Sequence, residues 1–153
     1  MGWAPLMAFA HHLAAFTLVG CLAGEILLLH PQLSLQQARK LLRLDVIFGL
    51  SAAALLVIGM LRVQYFGRPT TYYWHDVFFL IKLAAFLAAA LISLYPTMTF
   101  LSWRVMLRAD VAPELAPRRL HRLRACLMWE LAAVVVILAC AAWMARGHGY
   151  FGG

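Results

Sequence analysis

The sequence is short of charge. Only 12% of its 153 residues are Asp, Glu, Lys or Arg, and six of those are acidic, while 65% are hydrophobic. A water-facing surface needs more polar cover than this, so a soluble domain is excluded. Cysteine is scarce as well. Cys21, Cys126 and Cys140 form no CxxC pair and read as small packing residues. No internal repeat is present, and no low-complexity stretch beyond the terminal GHGYFGG. The box LVGC (Leu18–Cys21) resembles a lipoprotein cleavage site, but no Lys or Arg precedes it. Without a basic n-region, the first helix is expected to stay.

What the sequence has is long apolar runs. Four stand out: Pro5–Leu29, Leu44–Leu61, Val77–Leu101 and Cys126–Met144. About 20 helical residues cross the hydrocarbon core of a bilayer. The runs are continuous rather than alternating, which favours helices over barrel strands. They leave little chain for a separate soluble domain. The expectation is one domain over residues 1–153, an all-α, multi-pass integral membrane protein, with short connections favouring an antiparallel four-helix bundle. Its immediate partner is the lipid bilayer, and a homo-oligomer is compatible with it.

The net charge of +7 might suggest nucleic acid, but its placement argues against that. Arg39, Lys40 and Arg43 lie in the first connection, and Arg104, Arg108, Arg118, Arg119, Arg122 and Arg124 surround the third. Only Arg62, Arg68 and Arg146 lie at the opposite end, nine against three. The positive-inside rule places connections one and three in the cytoplasm and both termini outside. The basic runs then serve as topology signals and lipid-headgroup contacts.

Local signals place the helix ends. His30-Pro31 closes the first helix, since proline lacks a donor and restrains its predecessor. Ser34 is placed to cap a second helix that starts amphipathically with LQQARKLLRLD. Tyr72, Tyr73 and Trp74 suit an interfacial belt. Pro96 should kink the third helix unless neighbouring groups take up the freed carbonyl.

Ionisable residues inside the spans sort by depth. Glu25, Asp45 and Glu130 fall towards the basic connections, where structural ion pairing with arginines is the expected role and proton transfer the alternative. His11, His12, Arg62, His75 and Lys82 fall towards the other side, with Asp76 alone as an acid at the rim. A charge at the centre of a span costs roughly 2.5–3.5 kcal/mol, so such groups are expected to face the interior. Lys82 lies roughly 10 Å outward of the middle of its span, and the His11–His12 pair roughly 7 Å outward in its own. Adjacent residues on a helix splay by about 100°, so only one of these histidines should point at a given site.

Each has a plain structural role to set beside this. Lys82 can snorkel to the headgroups, the histidines can bond between helices, and His75 can cap a helix. His30, His121 and His148 are assigned no chemistry. The chemical alternative is a metal or haem site. Imidazole is the commonest metal ligand, and haem iron takes axial ligands from facing helices. Lysine ligates iron only as the neutral amine, the form an apolar bundle favours. Arg62 and Arg68 are placed to pair with propionates. Trp3, Tyr65, Tyr73 and Trp74 either shield a macrocycle edge or anchor the interface.

The segments HHLAAFTLVGCLAGEILLL, RLDVIFGLSAAALLVIGMLRVQYFG, YYWHDVFFLIKLAAF and SLYPTMTFLSWR resemble a family of small four-span bacterial membrane proteins of unknown function, from His11 to about Gly147. More distantly, a His early in helix one and the WHDVFFLIK segment (Trp74–Lys82) are similar to HemJ-type protoporphyrinogen oxidases and to copper-resistance D-like membrane proteins. That resemblance implies haem b held by Lys82 and one of His11 or His12. The double histidine and the carboxyls Glu25, Asp45 and Glu130 depart from the oxidase pattern. The leading expectation is a haem b protein of the bacterial inner membrane, transferring electrons or oxidising a small reductant, with quinone or a porphyrin-like molecule as a further partner. Copper transport ranks lower, because the methionines form no MxM or MxxM run and copper(I) prefers sulfur ligands. A non-catalytic scaffold subunit is the third class.

Overall fold

In a computed structural model that describes residues 3–66 and 73–146, the chain is all-helical. Arg68, Tyr72 and His148 lie outside the described residues. The helices are α1 (Ala4–Leu28), α2 (Leu35–Leu61), α3 (Val77–Ser102), the short α4 (Arg104–Arg108) and α5 (Pro117–Ala145), and α2 runs on into a π-helical turn, Arg62–Phe66. Four segments are long and apolar enough to cross a membrane: α1, α2 with its extension, α3 with α4, and α5.

The helix ends follow local chemistry. Ser34 and Gln37 form a reciprocal capping box: Gln37 N donates to Ser34 Oγ at 3.2 Å, and Ser34 N donates to Gln37 Oε1 at 2.9 Å. Two otherwise orphaned donors are satisfied, and α2 starts nine residues before the apolar run. At α3, the buried Asp76 accepts from Phe78 N at 2.9 Å and Phe79 N at 3.2 Å through one carboxylate oxygen. Pro96 is buried inside α3 and does not end it. The break comes at Trp103, whose buried ring packs on Phe100 with centroids 5.0 Å apart.

The four spans form a ring. α1 packs along α2 and α3 along α5, with α2–α3 and α1–α5 contacts closing the circle, so α1 and α3 face each other across a diagonal. Gly24 lets α1 approach α2 closely, since a Cβ there would meet Leu44 Cδ1 at 2.9 Å. The core is polarised along the bundle. Leu22, Leu41, Phe100, Leu123 and Leu127, from all four spans, are fully buried near the basic connections. Towards the end that holds the termini, no residue is buried in 4–17 of α1, 52–61 of α2 or 77–95 of α3, and Cys140 alone is buried in 131–145 of α5. Side chains fill the basic half of the interior more completely than the terminal half.

Candidate functional site

Two polar clusters occupy the two halves. In the terminal half, α1 supplies His11, α2 supplies Arg62 at its C-cap, and α3 supplies Lys82 one and a half turns below its start. His11 interacts electrostatically with both Lys82 and Arg62, and Lys82 with Arg62 and with Cys140 of α5. Residues from all four spans therefore lie within electrostatic range of one another here. The half-buried His11 has an Nδ1 that is shielded from solvent and has no hydrogen-bond partner among the described residues. Its Cε1 would lie 3.7 Å from a Cβ added at Gly59, so the ring rests close to the α2 backbone.

The neighbouring histidine behaves differently. His12 is exposed, and its Nδ1 donates to the carbonyl of Ala8 one turn back at 2.6 Å. The two rings meet edge to face, with centroids 6.2 Å apart. The 100° splay thus turns His11 inward and leaves His12 outward. Lys82 is half-buried and has no carboxylate partner among the described residues. Phe78 stacks on Trp143 at 5.9 Å and ties α3 to α5 one turn above it. His75 is exposed, as are Trp3, Tyr65 and Trp74, which suits interfacial anchoring better than shielding of an interior ligand.

In the basic half, Glu25, Asp45 and Glu130 are 1%, 3% and 1% exposed. They come from α1, α2 and α5 and interact electrostatically, Glu25 with both others and Glu130 with Asp45. From α3, the Thr97 hydroxyl donates to Asp45 Oδ1 at 2.8 Å. One oxygen of each carboxyl is buried without a hydrogen-bond partner among the described residues. Among the described residues, the expected pairing with arginines does not occur. Arg39 instead pairs with Asp110 and donates to the Leu107 carbonyl at 3.0 Å, and Arg124 donates to the Leu29 carbonyl at 3.3 Å. The guanidiniums serve carbonyls and an acid at the bundle's end, while the carboxyls point across its interior.

Among the described residues, no three His, Cys, Asp or Glu side chains converge closely enough to hold a metal ion. The cysteines are free, Cys21 and Cys140 being buried. Sequence reasoning missed Gly59 and Thr97. Each sits in an apolar run, and its contacts emerge only when another span is laid against it.

No curated protein and no solved structure matches the chain. A family of predicted membrane proteins, DUF2214, matches residues 3–149. That match spans all four membrane helices and both polar clusters, and the chain belongs to the DUF2214 family.

Proposed function

We propose that this protein binds haem b in the bacterial inner membrane, with both termini outside, and serves in electron transfer or in the oxidation of a small reductant, with quinone as its electron partner. The observation that carries this reading is the shielded Nδ1 of His11, which has no hydrogen-bond partner among the described residues and lies within electrostatic range of Lys82. A buried polar atom without a partner is costly, and iron ligation would relieve it. The two residues stand on diagonal helices, so a group held between these helices would be within reach of both.

The residues present fit the group. His11 and Lys82 would hold the iron, with Arg62 placed to neutralise a propionate. Bound haem would supply a one-electron couple, and the chain sets its environment. Arg62, which has no carboxylate partner among the described residues, favours an anionic occupant and an electron-rich state of it, while Lys82 would serve as the neutral amine. At the other end, Glu25, Asp45 and Glu130, three carboxyls buried in the interior with no guanidinium paired to them among the described residues, are suited to take up protons that accompany electron transfer.

Purified protein from haem-replete cells should show a Soret band. His11→Ala and Lys82→Ala should abolish it, whereas His12→Ala should keep it. A colourless, metal-free preparation overturns the proposal. Copper retained in place of haem, and lost with His11, would replace it by cation transport. Full fitness and folding of the His11/His12/Lys82 triple alanine variant would point to a scaffold.

A further inference from the structure

The basic end carries a groove of about 500 Å³ between the start of α2 and the end of the third span, lined by Arg39, Arg43, Arg104 and Arg108 together with Asp110. Four guanidiniums and a single carboxylate give it a strongly positive face. Asp110 stands in a left-handed backbone conformation, φ 56°, just after α4. Glycine usually fills that position, because a side chain there is strained. Here Val111 N closes the turn on the Met106 carbonyl at 2.9 Å, and the strained residue presents its carboxylate to Arg39. Arg39 also donates to the Leu107 carbonyl, so its guanidinium is fixed from two sides. Arg43, Arg104 and Arg108 are exposed, with no hydrogen-bond or ion-pair partner among the described residues.

We infer that this groove is a binding site for the phosphate headgroup of an anionic phospholipid, with Arg39 held in place by Asp110 and the other three arginines meeting the ligand. Guanidinium groups match phosphate oxygens in bidentate geometry. The groove lies where two membrane-crossing segments reach the interface, the depth at which a headgroup sits. A soluble phosphate shares the chemistry but lacks acyl chains to lie along the exposed apolar flanks, such as Val105 and Val46.

The test is native mass spectrometry of the delipidated protein with phosphatidylglycerol, phosphatidylcholine or inorganic phosphate added separately. Phosphatidylglycerol should bind with preference over phosphatidylcholine, and inorganic phosphate should give no stable adduct. Retention should fall by roughly fivefold for each arginine replaced in the Arg43→Gln/Arg104→Gln/Arg108→Gln series, a single charge near an anionic surface being worth that much. Replacing Arg118, Arg119 and Arg122 on α5 by Gln removes equal charge outside the groove and should leave retention within about twofold. Equal loss in both series reduces the effect to net charge and overturns the site. A stable adduct with inorganic phosphate alone overturns the lipid assignment. Should the triple variant misfold, Arg104→Gln against Arg122→Gln gives the same comparison.

Discussion

The two adjacent histidines show how much one residue's rotation decides. In the sequence His11 and His12 are equivalent, and only the splay between them is readable. Helix phase then turns His11 towards Gly59 and Lys82 and gives His12 a carbonyl on its own helix. That phase is set by α1–α2 packing, which depends on side chains distant in sequence. Gly59→Leu should therefore act as His11→Ala does, by filling the space beside the ring, while Gly59→Ala at 3.7 Å is an ordinary contact and should be tolerated. Absorption spectra of the two variants check this. Asp110 was not readable at all, since nothing in DVAPELAP marks a left-handed residue. Asp110→Ala keeps the strain and loses the ion pair, whereas Asp110→Gly loses the pair but sheds the strain as well. An exposed pair is worth about 0–1 kcal/mol, and the left-handed strain about 1–2 kcal/mol. Asp110→Gly should thus melt within a few degrees of the parent and above Asp110→Ala, reversing the usual order of glycine and alanine.

At the scale of the element, the four apolar runs foretold four spans because hydrocarbon admits only long apolar helices. The helix ends were readable where a side chain satisfies the backbone, as at Ser34, and less so where packing decides, as at Trp103. Pro96 illustrates the difference. The sequence predicts a kink there unless the freed carbonyl is taken up; the helix runs on through the buried ring, and its end falls seven residues later, at Trp103. Ser34→Ala should cost about 1 kcal/mol by removal of half the capping box, seen as a lower melting temperature of the detergent-solubilised protein. Gly24 offers a sharper contrast with Gly20. A methyl at Gly20 meets nothing within 4 Å, while one at Gly24 reaches Leu44 at 2.9 Å. Gly20→Ala should be neutral or mildly stabilising. Gly24→Ala should displace the flexible Leu44 end at a small cost, and Gly24→Leu should force α1 from α2 and lower stability by about 1–3 kcal/mol.

For the whole molecule, charge placement distinguishes two ends of the bundle, but it does not reach the interior of the basic end. Composition puts arginines and carboxyls in the same half, and pairing is the simplest inference. The fold instead keeps the arginines at the helix ends and sets Glu25, Asp45 and Glu130 inside the bundle, a separation that depends on three helix rotations at once. The same polarity divides the packing. Leu127 is 1% exposed and touches the filled half, whereas Leu83 lies half-buried in the sparsely packed one. In a bilayer, lost contacts rather than water exclusion set the cost of truncation. Leu127→Ala opens a cavity and should lower stability by on the order of 2 kcal/mol, while Leu83→Ala should cost a fraction of that because its neighbours are already loose. Hydrogen exchange in detergent should show the same gradient, slow in residues 18–25 and 120–130 and faster in 4–17 and 77–90. Loading with haem should slow exchange in the terminal half alone, around His11 and Lys82, if the ligand occupies the space between them. Uniform slowing along all four helices would instead mean that the bundle tightens as one unit, and it would separate the packing gradient from the haem site.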